Sequence, residues 1–83
     1  MTPESDWTEH DGALERTIVL ESFPAAIALV NRIAELAERE NHHPDLDVRY
    51  RTLVVRWTTH SAGGITDRDR ALAAETDRLL QAE

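Results

Sequence analysis

Residues 44–57 read PDLDVRYRTLVVRW, and whether they make one strand or two decides the fold. Leu46, Val48 and Tyr50 alternate along the chain, as do Leu53, Val55 and Trp57, but the phase slips between Tyr50 and Leu53. Such a slip is a turn or a bulge, and Tyr50-Arg51-Thr52 contains neither the Gly nor the Asn that marks a tight turn. Length separates the alternatives. One strand from His43 to His60 would run roughly 55 Å at ~3.3 Å per residue, whereas a domain of this size has a radius of gyration near ~12 Å. The segment is therefore expected to be a hairpin that reverses near Arg51.

Upstream, Asp11-Gly12 marks a turn between a polar stretch around Trp7 and the run from Leu14 to Leu20, which reads as another hairpin. Ser22 suits a helix N-cap, Pro24 is tolerated in a first turn, and Phe23, Ile27, Val30, Ile33 and Ala37 recur at helical spacing. That helix should end near Asn41, with Pro44 blocking its continuation. Downstream, Ser61-Ala62-Gly63-Gly64 is a loop, and Thr66 and Asp69 have capping-box spacing. Leu72, Thr76, Leu79 and Leu80 give the last helix a modest apolar face. The order strand, strand, helix, strand, strand, helix implies an α+β fold, a four-stranded antiparallel sheet with helices packed on one face. Residues 1–83 are read as a single domain in which 1–6 form a loose tail and Trp7 is the first anchor.

Composition narrows the function classes. A domain of 83 residues buries only about 60% of the surface its unfolded chain exposes, so the core is small and self-association, a homodimer or a tetramer, is expected. The chain has no cysteine, which excludes disulfides and thiolate metal sites. The formal net charge is -7 and the nine basic residues, all Arg, form no cluster, so nucleic acid is not an expected ligand. No apolar run is long enough to span a bilayer and the start is acidic, which points to a cytoplasmic protein with no membrane partner.

Three of the four histidines, His42, His43 and His60, fall between Glu38 and Asp69. Imidazole changes charge near neutral pH, so its grouping with carboxylates suggests proton transfer. A reversal near Arg51 places residues whose numbers sum to about 102 opposite each other, which sets His42 or His43 against His60. Asp69 enters at the next helix start, and Glu38 lies one helical turn before His42. One pocket is expected to hold all five groups. His10 lies apart and is read as a surface residue.

Glu38, three residues, His42-His43-Pro44, Tyr50, His60 and Asp69 together resemble the signature of the pterin-4a-carbinolamine dehydratase family, also called 4a-hydroxytetrahydrobiopterin dehydratases. Trp7, Asp11-Gly12, Leu14, Phe23, the helix VNRIAELAE and the run THSAGGITDRD from Thr59 extend the resemblance over nearly the whole chain. It implies a dehydratase that converts a 4a-hydroxytetrahydropterin into quinonoid dihydropterin and water, in recycling of a tetrahydrobiopterin-type cofactor, with pterin as substrate and no metal or organic cofactor. It also implies that His42, His43 and His60 are the active-site histidines, with Glu38, Pro44, Arg68 and Asp69 in supporting or substrate-binding positions. His43 and His60 are assigned as acid and base, His42 as positioning the substrate, and Glu38 as orienting a ring. The chain departs from the family in three places: the additional N-terminal helix is shortened or missing, Asn41 stands where animal members often carry Asp, and Leu46 replaces an aromatic that often follows the Pro.

Each group also has an ordinary structural role. His42 and His43 suit a helix C-terminus, Asp69 suits a capping box, Glu38 a solvated helix face, and Trp7, Tyr50 and Trp57 a core. Zinc is the main chemical rival, but neighbours in extended chain face opposite sides, so His42 and His43 would not share an ion. The functional rival is a non-catalytic dimerisation or assembly partner of another protein, which would use the outer faces of the fold and not the pocket.

Overall fold

A computed structural model describes residues 6–81, so the expected loose tail lies outside the described residues except for Asp6. Strand β1 (Thr8–His10) turns through Asp11-Gly12 into β2 (Ala13–Val19). Helix α1 (Phe23–Glu40) follows, then β3 (Asp45–Arg49), β4 (Thr52–Trp57), a 3-10 turn (His60–Ala62) and helix α2 (Asp67–Gln81). The sheet order is β1-β2-β4-β3 with every neighbouring pair antiparallel.

Both expected hairpins form, each for a local reason. Asp11 and Gly12 have φ of 51° and 77°, the left-handed backbone that a two-residue hairpin turn needs and that these residue types tolerate. The second hairpin turns on Tyr50-Arg51, with Arg49 paired to Thr52 and Tyr50 at φ 56°. Tyr50 is thus 72% exposed in a tight turn and is not the core aromatic the pattern suggested. Closing on two residues demands a left-handed first residue, and here a tyrosine takes it at a cost of roughly 1 kcal/mol. No Gly or Asn announces it.

The side chain of Ser22 accepts the Ala25 N–H at 3.1 Å, which starts α1 with Pro24 in its first turn. Its buried stripe is Ala26, Leu29, Ile33, Leu36 and Ala37, while Phe23 is 46% exposed. The stripe is rotated from the one read off the large apolar residues, because alanines that sit in the core add little to such a pattern. Leu53, Val55 and Trp57 of β4 meet this stripe from the sheet, joined by Leu14 and Ile18 of β2 and by Leu72 and Ala73 of α2. Trp7 and Trp57 are both core residues, as expected, and His10 is exposed.

Asp77 fastens α2 to the other end of the sheet. It accepts Trp7 Nε1–H at 3.0 Å and pairs with Arg16 Nη1 at 2.5 Å. No helix among the described residues is long and apolar enough to cross a membrane.

Candidate active site

Helix α1 ends where Asn41 adopts left-handed backbone, φ 52° and ψ 46°, so that the N–H of His42 reaches the carbonyl of Ala37 at 3.1 Å. Asn tolerates this conformation better than most residues, which gives position 41 a backbone role independent of any acidic one. Pro44, half-buried, disfavours helical backbone at His43, and the two imidazoles meet different partners. The side chain of His42 is 10% exposed and that of His43 is 58% exposed.

His42 packs against the indole of Trp57, with ring centroids 5.9 Å apart and planes 9° from parallel. The indole is itself fixed, donating to Thr76 Oγ1 at 3.1 Å, whose hydroxyl donates to the Leu72 carbonyl at 2.8 Å. His42 Nε2 lies 2.8 Å from Asp69 Oδ1. The other carboxylate oxygen accepts the Thr59 hydroxyl at 2.7 Å and the Thr66 N–H at 2.8 Å. Asp69 is fully buried. Burial pushes its pKa up, but hydrogen bonds from His42, Thr59 and the Thr66 backbone, together with the His42 charge, outweigh that and hold it below the usual carboxylate range. Asp69 is therefore ionised at neutral pH.

His43 Nε2 meets Glu38 Oε2 at 2.6 Å on the exposed surface. Arg68 Nη2 donates to the Glu40 carbonyl at 2.6 Å, tying the first turn of α2 to the last turn of α1. The expected single pocket is thus two histidine–carboxylate pairs on consecutive residues, braced by Arg68.

His60 joins neither pair. Its side chain is exposed and makes no hydrogen bond or ion pair with a described residue. Pairing of Leu46 with Val55 and of Val48 with Leu53 gives a register sum of 101, one less than expected, because the turn closes on two residues. That register carries Thr59 to His42, with Thr59 Oγ1 3.4 Å from Nε2, and leaves His60 in the following turn. Thr59, Thr66 and Trp57 are site residues that sequence reasoning missed. The capping-box spacing pointed to Thr66, and a one-residue shift of register would have found Thr59. Among the described residues no group of three or more His, Asp or Glu side chains is arranged to hold a metal ion. A groove of about 730 Å³ beside Trp7, Leu14, Arg70 and Ala73 includes none of the three histidines.

Sequence comparison matches residues 1–79 to the family described as pterin 4 alpha carbinolamine dehydratase. A Nocardia farcinica protein named "Putative pterin-4-alpha-carbinolamine dehydratase" is 57% identical over 76 residues, which cover 92% of this chain and 80% of that protein. A Mycobacterium leprae protein of the same name is 49% identical over 76 residues, 92% of this chain and 81% of the relative. Among solved structures, a transcriptional coactivator/pterin dehydratase from Brucella melitensis superposes with a TM-score of 0.85 at 28% identity, covering 89% of this chain and 81% of its own. A pterin dehydratase-like protein identified as a RuBisCO assembly factor shares the fold, with a TM-score of 0.71 at 20% identity over 88% of this chain and 84% of its own. By the family match and the identity of these relatives, the chain belongs to the pterin 4 alpha carbinolamine dehydratase family.

Proposed function

We propose that this chain is an active 4a-hydroxytetrahydropterin dehydratase. The observation that carries the reading is the buried Asp69–His42 pair, stacked on Trp57 and set beside the Glu38–His43 pair. Dehydration breaks the C4a–O bond of the substrate, removes a ring N–H proton and forms a carbon–nitrogen double bond. The hydroxyl leaves as water only if it receives a proton, so the reaction needs an acid and a base on one substrate. Imidazole side chains can supply both functions. His43 serves as one of them, with Glu38 steadying its ring. His42, backed by the buried indole of Trp57, orients the pterin, and the exposed His60 turns toward substrate as the other proton-transfer group. In this reading the pterin is substrate, no metal or organic cofactor takes part, and the product feeds recycling of a tetrahydrobiopterin-type cofactor.

The rival reading is an assembly or dimerisation partner, which needs the fold but no proton transfer. A coupled assay with 4a-hydroxytetrahydropterin separates the two. The enzymatic reading expects His43→Ala and His60→Ala each to lower the dehydration rate by about 10²-fold or more with the fold intact. Unchanged rates in both variants would leave the partner reading standing.

A further inference from the structure

Four donors and acceptors around Asp69 constrain the proton on His42. Asp69 Oδ2 takes the Thr59 hydroxyl hydrogen at 2.7 Å and the Thr66 N–H at 2.8 Å. The Thr66 hydroxyl lies 2.9 Å from Thr59 Oγ1 and 3.3 Å from Asp69 Oδ2, so with the Thr59 hydrogen given to the carboxylate the Thr66 hydroxyl donates to Thr59 Oγ1. The hydroxyl hydrogens thus run toward Asp69, directly from Thr59 and through Thr59 Oγ1 from Thr66. Thr59 Oγ1 is also 3.4 Å from His42 Nε2, but its single hydrogen is committed to the shorter bond, so it has none to give the imidazole. His42 Nε2 thus faces only acceptors, a carboxylate oxygen at 2.8 Å and a hydroxyl oxygen behind it. A bare Nε2 there would set two lone pairs against each other in a buried site, so Nε2 must carry the proton. The other ring nitrogen, Nδ1, makes no hydrogen bond to a described residue and reaches solvent.

We propose that Thr59 is a positioning residue: by holding Asp69 it locks neutral His42 in the Nε2–H tautomer, so that Nδ1 is the nitrogen offered to the substrate. Thr59 touches the imidazole only at its far side and acts through Asp69. Its place is set by the 101 register of the β3–β4 hairpin and by the Thr59–Gly64 bridge, in which the two residues exchange N–H···O bonds of 3.0 and 3.2 Å. The bridge folds the chain back so that Thr66 and Asp69 meet the end of β4. Acting on dehydration, the device rests on the functional reading above; acting on the tautomer, it does not.

The test uses the full chain, ¹⁵N-labelled, at a pH where the ¹⁵N shifts themselves show His42 to be neutral. Long-range ¹H–¹⁵N correlation is expected to show the His42 proton on Nε2 and a bare Nδ1 in the unmodified protein. Thr59→Val removes the hydroxyl at nearly constant volume and is expected to give a mixture of tautomers. It should also lower kcat at least about tenfold with KM nearly unchanged, the scale typical of residues that orient a functional imidazole. Thr59→Ser restores the hydroxyl and should recover both readouts. A proton on Nδ1 in the unmodified protein would overturn the proposal and needs no variant to be seen. So would a Thr59→Val protein that keeps the pure Nε2–H tautomer and full kcat. If the tautomer behaves as expected but no dehydratase activity exists, the functional reading fails while the positioning role stands.

Discussion

His42 and His43 are neighbours in sequence, and each pairs with a carboxylate, yet the two pairs differ physically. His42–Asp69 joins elements 27 residues apart, with its side chains 10% and 0% exposed. His43–Glu38 spans five residues at one helix end, with its side chains 58% and 78% exposed. Coulomb attraction at similar distance is worth far more in the first setting, where water does not screen it, and so is the penalty for losing one partner. A buried, tertiary pair holds a fixed geometry at a cost in desolvation, whereas an exposed local pair steadies a mobile ring and contributes little to folding.

Removing the carboxylates one at a time should break this symmetry most visibly. Asp69→Ala leaves the His42 Nε2–H, the Thr59 hydroxyl and the Thr66 N–H without their acceptor in a buried site. A loss of about 3–5 kcal/mol in urea unfolding is expected, a large share of the stability of so small a domain. Glu38→Ala should change it by less than about 0.5 kcal/mol. Equal losses for the two would show that the burial contrast does not govern the pairs.

Acid titration sharpens the same contrast with the native protein. The folded pKa of Asp69 lies below the usual value, so as pH falls the unfolded chain takes up a proton before the folded one does. The stabilising contribution of Asp69 is therefore complete above the unfolded carboxylate value of about 3.9 and disappears as pH falls through the lower folded value. Urea midpoints measured from about pH 5 downward should fall more steeply in the unmodified protein than in Asp69→Asn, which cannot ionise. Parallel curves would mean that Asp69 titrates alike in both states.

The local pair was nearly legible in the sequence, since a helix ending before Pro44 sets Glu38 beside the His42-His43 step without knowledge of any other element. Strand count, helix positions and the capping role of Asp69 were legible for the same reason: each rests on signals within a few residues. The tertiary pair was not. It depends on hairpin register, and register rests on how many residues the Tyr50-Arg51 turn takes, which no Gly or Asn disclosed. One residue of error exchanged Thr59 for His60 as the group facing His42. Tyr50 was assigned to the core by the same misreading, because an aromatic in phase with Leu46 and Val48 continues a strand pattern unless the turn is seen.

Tyr50→Gly tests that account with a smaller effect. Glycine adopts positive φ freely, so strain of roughly 1 kcal/mol is relieved, partly offset by the greater freedom of glycine in the unfolded chain. The expected net is a gain of up to about 0.5 kcal/mol with the Arg49–Thr52 register kept. A loss greater than about 1 kcal/mol in urea unfolding would mean that the exposed tyrosine contributes packing that outweighs its backbone strain.

The smallest stability effect should come from Glu38→Gln, which keeps the shape of the side chain and removes its charge. The carboxylate is mostly solvated, so the melting temperature should move by no more than about 1–2 °C. Activity should respond more than stability, because a ring that makes one strong hydrogen bond loses orientation when that bond weakens. A fall of about tenfold in kcat with the fold unchanged would identify the exposed pair as working on the substrate side of the site. Added salt provides the control, since screening weakens an exposed pair while leaving a buried one almost untouched. Raising ionic strength should therefore bring the unmodified protein toward the Glu38→Gln rate and leave the His42–Asp69 geometry, followed by its ¹⁵N signals, where it was. A salt response carried by His42 instead would reverse the contrast between the two pairs.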